Sequence, residues 1–252
     1  MNIKKHIPNA ITCGNLLCGC LAIVCAFHDN LVGSAYLVGI ALILDYFDGF
    51  VARLLKVGGE LGKQLDSLED VVTFGVVPGI VMFQLMNMYQ IAENSSSEIS
   101  PSLLFFHQYS VYLAFLIPVF SAMRLAIFNI DTRQTSSFIG VPTPANAMLI
   151  CSLPLISSFQ PNILGFDVNH IIGNIYFLLA LTMIMSYLLV AELPLFALKF
   201  KNFKWADNKI RFVFLIISVI LLILFQFIAI PFIIFLYIVL SIINNKKNKN
   251  EI

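Results

Sequence analysis

Six of the chain's fourteen acids, Asp45, Asp48, Glu60, Asp66, Glu69 and Asp70, fall in one stretch, DYFDGFVARLLKVGGELGKQLDSLED. Asp45 and Asp48 are three residues apart, and Asp66 and Asp70 are four apart. On a helix, each pair shares a face. Gly49, Ala52 and Gly62 lie beside these faces and remove side chains where helices, or a ligand, must come close. Two carboxylates ~5 Å apart repel by about 3 kcal/mol at an effective dielectric near 20. Four in one half-buried place therefore take up protons or recruit cations. With only oxygen ligands and no His or Cys nearby, the cations favoured are Mg²⁺ or Mn²⁺. Such ions keep waters and bind substrate phosphates, which is the setting of phosphoryl transfer. Arg53 adds a fork for a phosphate at the end of the first face. The same aspartates also suit a proton or cation pathway in a transporter. Spacing alone leaves both readings open, although the acids cluster at one depth and no charged residue continues a route across.

The elements that must hold these acids are apolar. The chain has 252 residues, of which 59% are hydrophobic and only 12% charged, against about 25% charged in soluble domains. An ionisable group inside a membrane span costs roughly 2.5–3.5 kcal/mol on insertion scales, so it marks function by default. This composition describes a polytopic membrane protein. The formal net charge of +1 gives no footprint for nucleic acid. Cys13, Cys18, Cys20, Cys25 and Cys151 lack metal-site spacing and read as small packing residues. Lys4 and Lys5 ahead of an apolar run imitate a signal peptide. Asn9, Thr12 and Asn15 interrupt that run, which points instead to a polar-lined helix.

A span needs about 20 mostly apolar residues. Eight are expected, at roughly 9–27, 32–55, 62–88, 103–128, 142–160, 170–192, 211–228 and 231–244. The last two meet at Ile230-Pro231 and form either a tight hairpin or one long kinked helix. With the N-terminus placed inside, all fifteen Lys and Arg fall in cytoplasmic segments, as the positive-inside rule requires. Both termini are then cytoplasmic. The outer loop Glu93-Asn94-Ser95-Ser96-Ser97-Glu98 is plainly polar. Trp205, with Phe200 and Phe203 among the inner lysines, reads as an interfacial segment on anionic lipid. The second and third spans form a hairpin turning at Val57-Gly58-Gly59. At ~1.5 Å per residue, Asp48 and Asp70 rise to similar heights, ~13 Å above that turn, and face the cytoplasm.

The frame Asp45-xx-Asp48-Gly49-xx-Ala52-Arg53, then Gly62, Asp66 and Asp70, resembles the signature of the CDP-alcohol phosphatidyltransferase family at every fixed position. The resemblance extends over roughly residues 7–192, the family's six-helix core. The flanks are similar to the branch of the family that uses L-serine. Ile7-Pro8-Asn9-xx-Thr12-xx-Asn15 is one such block and Asp66-Ser67-xx-Asp70-xx-Thr73-Phe74-Gly75-xx-Pro78 another. Arg124-Leu125-Ala126-x-Phe128-Asn129 and Gly140-Val141-Pro142-x-Pro144-Ala145 complete them, with Ile127 where that branch usually carries Arg.

The resemblance implies an all-α integral membrane enzyme of about eight helices. Its membrane core spans 1–200. Residues 201–252 add a basic loop, a helical hairpin and a basic tail. The implied reaction moves phosphatidyl from CDP-diacylglycerol to L-serine and releases CMP, with another small alcohol (choline, inositol or glycerol 3-phosphate) as the alternative acceptor. Two divalent ions, Mg²⁺ or Mn²⁺, are implied on Asp45, Asp48, Asp66 and Asp70. Asp70 is also the implied proton acceptor. Gly49, Ala52 and Arg53 are implied contacts to the CDP-lipid, with Asn9 and Thr12 near cytidine and Gly59 contacting through its backbone. Arg124 and Asn129 are implied substrate contacts. The family implies a homodimer in the cytoplasmic membrane.

Overall fold

Long runs of Leu, Ile, Val and Phe with few charges leave the backbone no solvent to bond in a bilayer, so the chain must satisfy its amides within helices. The computed structural model describes residues 6–57, 59–94, 101–131, 137–163, 165–196 and 205–250. Helix α1 (His6–Phe27) and α2 (Leu31–Leu55) form an antiparallel pair. Asn30 caps α2 by accepting from the Gly33 amide at 2.8 Å. At its other end α2 stops in a left-handed Lys56, φ 50°. There Lys56 N–H donates to Arg53 O and Val57 N–H to Ala52 O, closing the last carbonyls.

The chain then climbs back as α3 (Glu60–Asp70), a π-helical segment (Val71–Val76) and α4 (Val77–Asn94). These form one rod, the most enclosed of the long helices. Small residues let neighbours approach it. A Cβ on Gly19 of α1 would collide with Thr73, and one on Gly79 would lie 2.7 Å from Pro118 Cδ. Gly75 faces Ser121 in the same way, with 3.1 Å between the two Cβ positions. The π segment, which no sequence pattern announces, begins directly after Asp70. Such segments often sit at functional sites. Phe74, Met82, Met86, Ile117, Ile150 and Leu178 fill the core around this rod.

Helix α5 (Pro101–Ser110), a 3₁₀ turn (Val111–Phe115) and α6 (Leu116–Ile130) follow. Next come β1 (Ser137–Ile139), α7 (Thr143–Phe159), a ribbon of β2 (Asn162–Ile163) with β3 (Phe166–Asp167), the short α8 (Asn169–Ile172) and α9 (Ile175–Val190). β4 (Pro194–Phe196) pairs antiparallel with β1. The two small ribbons are additions to the expected all-helical plan. Among the described residues, five stretches are long and apolar enough to cross a membrane: His6–Phe27, Leu31–Leu55, Glu60–Met88, Gln108–Ile130 and Asn208–Asn244. Helices α7 and α9, expected as spans of about 20 residues, have 17 and 16. Pro142 and Gln160 bound the first; Asn174 caps the second, its side-chain oxygen accepting from the Tyr176 and Phe177 amides.

The last stretch is a hairpin. Helices α10 (Trp205–Phe225) and α11 (Ala229–Asn250) are joined by a 3₁₀ turn at Gln226–Ile228, where Gln226 takes φ 50°. Phe214 and Tyr237, on opposite sides of that turn, bring their rings to 5.7 Å. A straight 37-residue helix would be ~55 Å long, far beyond a hydrocarbon core of ≈ 30 Å. Gln160 at the end of α7 fastens the turn, donating to Phe225 O and accepting from the Ile228 amide. Gly58, Arg133, the polar loop at 95–98 and the phenylalanines at 200 and 203 lie outside the described residues.

Candidate metal centre and active site

The site forms where three helix segments meet at one end of the bundle. Helix α1 supplies its first turns, α2 its last turns, and α3 its whole length. Carboxylate oxygens of Asp45, Asp48, Asp66 and Glu69 all lie within 4.8 Å of one another. Asp48 and Glu69 are buried, while Asp45 and Asp66 are half-buried. Thr12 Oγ donates to Asp48 Oδ2 at 2.7 Å, and Pro8 O lies 3.1 Å from the same hydroxyl. A hydroxyl has one proton, and the anion is the stronger acceptor. Asn15 Nδ2 donates to Glu69 Oε1 at 2.6 Å. Thus the polar face of α1 is turned toward the acids of both following helices.

Asp70, expected within the ligand set, is not one of the four that share this volume. It is buried one residue further on, within electrostatic reach of Asp45, Asp66, Asp48 and Arg124. Among the described residues its Oδ1 has no hydrogen-bond partner. Glu69 Oε2 is buried and unpartnered in the same sense. Unpaired buried carboxylate oxygens are costly, and a set of hard anionic oxygens at this spacing fits a divalent cation such as Mg²⁺ or Mn²⁺.

A cavity of about 630 Å³ opens beside the acids. Its lining includes Asn9, Thr12, Asp48, Gly49, Ala52, Gly59, Gly62 and Asp66, all singled out by the sequence, together with His6, Glu60 and Lys63. The glycines serve the cavity more than helix contact. A Cβ at Gly49 would meet only the Arg53 guanidinium, at 3.6 Å, and one at Gly62 would meet Asn9 Oδ1 at 3.3 Å. At Gly59 nothing lies within 4 Å. Arg53 is exposed at the end of α2, within electrostatic reach of Asp48.

Two expected substrate contacts sit elsewhere. Arg124 is buried on α6 at 6% exposure, its guanidinium 5.8 Å from the Phe128 ring centroid. It lies within electrostatic reach of Asp70 and Tyr237, and its Nε has no hydrogen-bond partner among the described residues. Asn129 instead ties α6 to α3, with Nδ2 donating to Ser67 Oγ at 2.8 Å and Lys63 Nζ donating to its carbonyl at 3.1 Å. Ile127 is 41% exposed. Sequence reasoning missed Glu69 as a site residue, and with it His6 and Lys63 at the cavity. The signal for Glu69 was its position three residues after Asp66, on the same helical face.

The chain is similar to known proteins of one family. A family model described as CDP-alcohol phosphatidyltransferase matches residues 5–198. Over 200 residues the chain is 31% identical to a CDP-diacylglycerol–serine O-phosphatidyltransferase of Bacillus subtilis, covering 79% of this chain and 92% of that one. A protein of the same name from Helicobacter pylori is 34% identical over 153 residues, 60% of this chain and 58% of its own. An archaetidylserine synthase of Methanothermobacter thermautotrophicus is 28% identical over 168 residues, 64% of each chain.

Proposed function

The chain belongs to the CDP-alcohol phosphatidyltransferase family, and we propose that it transfers the phosphatidyl group of CDP-diacylglycerol to L-serine, giving phosphatidylserine and CMP. The observation that carries this reading is the carboxylate set at the edge of a cavity lined by the family's own motif residues. The serine names of the similar proteins support the acceptor. The cation-pathway reading has less support, since the acids gather at one end of the bundle beside a nucleotide-sized cavity.

In this reading Asn9, Thr12 and Gly59 bound the cytidine end of the cavity. Gly49, Ala52 and Gly62 leave room for the pyrophosphate, and Arg53 meets its outer oxygens. Asp45, Asp48 and Asp66 would hold divalent ions, Mg²⁺ or Mn²⁺, with Asp70 at the edge of the set. When bound, such ions would neutralise charge on the pyrophosphate and on departing CMP. Asp70 takes the proton of the serine hydroxyl. That oxygen bonds to the phosphorus bearing diacylglycerol as the bond from the same phosphorus to the bridging oxygen breaks. CMP leaves with the bridging oxygen. Arg124, buried and within electrostatic reach of Asp70, meets the serine carboxylate in this reading, a pairing suited to a guanidinium. Asn129 acts with it by holding α6 against α3.

The proposed setting is the cytoplasmic membrane, with eight crossings, both termini and the site on the cytoplasmic side, and a homodimer as the assembly. Residues 1–200 form the core and 201–252 the appended basic loop, hairpin and tail. The test uses purified protein with CDP-diacylglycerol, Mg²⁺ or Mn²⁺, and serine, inositol, choline or glycerol 3-phosphate in turn. Serine-dependent CMP release with phosphatidylserine as product is expected. Release driven by another alcohol would move the acceptor; ion flux into vesicles without CMP release would overturn the reading.

A further inference from the structure

We propose that Glu69 is a further metal ligand, completing with Asp45, Asp48 and Asp66 the set around one divalent ion and leaving Asp70 to act on the acceptor hydroxyl. This deepens the reading above and rests on it. Three observations converge. First, the oxygens that lie mutually within 4.8 Å are those of Asp45, Asp48, Asp66 and Glu69, without Asp70. Second, Glu69 is fully buried, at 0% exposure, and Asn15 Nδ2 donates to its Oε1 at 2.6 Å. That bond fixes the carboxylate plane from the far helix, as outer partners of metal ligands do. Third, its other oxygen, Oε2, is buried with no hydrogen-bond partner among the described residues.

A glutamate meant only for packing or for bonding Asn15 has no reason to stand among three aspartates. Each added carboxylate raises the repulsion in the set, and a lone buried oxygen loses its solvation. A bound cation removes both penalties at once. The division of labour also answers a difficulty with Asp70. A carboxylate that ligates an ion directly is a poor proton acceptor, because positive charge holds its proton off. With Glu69 in the ligand set, Asp70 needs no place on that ion and keeps an oxygen for the hydroxyl.

The test measures Mn²⁺ binding to purified protein by the loss of the free-ion electron paramagnetic resonance signal, with no turnover involved. Wild type, Glu69→Gln and Asp70→Asn are compared. Glu69→Gln is expected to weaken Mn²⁺ binding by at least about tenfold, the scale on which ligand shells act, and by more than Asp70→Asn does. Glu69→Gln binding Mn²⁺ as wild type does, or Asp70→Asn losing more, overturns this proposal and leaves the proposed function standing. Wild type binding no Mn²⁺ even with CDP-diacylglycerol overturns the metal reading and this proposal with it. If Glu69→Gln yields no folded preparation, Glu69→Asp is measured instead. It keeps the charge but withdraws the oxygens by one methylene, so weakened binding supports the proposal and unchanged binding overturns it.

Discussion

Thr12 Oγ donates a 2.7 Å hydrogen bond to Asp48 Oδ2, joining the first helix to the second at the centre of the acidic site. The bond turns one lone pair of Asp48 toward α1 and so sets which oxygen faces the other carboxylates. Thr12→Val keeps the shape and removes the donor. A hydrogen bond to a charged group contributes about 1.5–3 kcal/mol. The expected result is an apparent Mg²⁺ or Mn²⁺ constant raised on the order of tenfold, read from CMP release against metal concentration. An unchanged metal constant would detach Thr12 from the metal site and return it to cytidine.

Asp70→Asn keeps the volume and loses the proton acceptor. Turnover should fall roughly 10²–10⁴-fold, the usual scale of a general base, while CDP-diacylglycerol binding stays within a few-fold of wild type. Single-turnover CMP release paired with equilibrium binding of the CDP-lipid separates the two quantities. Retained turnover would remove Asp70 from the chemistry.

Arg53 is exposed at the end of α2, so its loss should not disturb packing. Arg53→Ala is expected to raise the KM for CDP-diacylglycerol about tenfold, with the melting temperature unmoved. Gly62→Ala should act in the same direction for a steric reason, since its Cβ would stand 3.3 Å from Asn9 Oδ1 within the cavity. A KM unaffected by both changes would place the CDP-lipid elsewhere.

Much of the site was legible because its residues are local. Asp45, Asp48, Asp66 and Asp70 lie within a hairpin whose faces follow from helical periodicity, and Thr12 lies on a helix with polar residues at Asn9, Thr12 and Asn15. What could not be read depended on contacts between distant segments. Asn15 and Glu69 are 54 residues apart, and nothing in the spacing says that one donates to the other. Nor does the block around Asn129 say that its amide donates to Ser67, 62 residues away. Hydropathy located the apolar runs, and prolines and caps then shortened α7 and α9 inside them. The π segment after Asp70 leaves no mark in composition.

The C-terminal hairpin lies beyond the matched region, which ends at residue 198, yet hydrogen bonds fasten it to the core. Gln160 binds both sides of its turn, and Tyr237 OH donates to Phe196 O at 2.9 Å, where β4 meets the hairpin. Phe196 and Tyr237 also pack edge to face, with centroids 5.0 Å apart. Gln160→Ala removes two hydrogen bonds at partly buried groups, each contributing about 0.5–1.5 kcal/mol. The turn should loosen and the melting temperature in detergent should fall by several degrees. The cavity proposed for the CDP-lipid is lined by α1, α2, α3 and the turn between the last two, so the KM for CDP-diacylglycerol should not change. Tyr237→Phe tests the other anchor. It keeps the ring against Phe196 and Phe214 but leaves the Phe196 carbonyl without its donor and removes the hydroxyl within electrostatic reach of Arg124. If Arg124 meets the serine carboxylate, this change should raise the KM for serine more than that for CDP-diacylglycerol. Equal effects on both, or on neither, would confine the hairpin to a stabilising role.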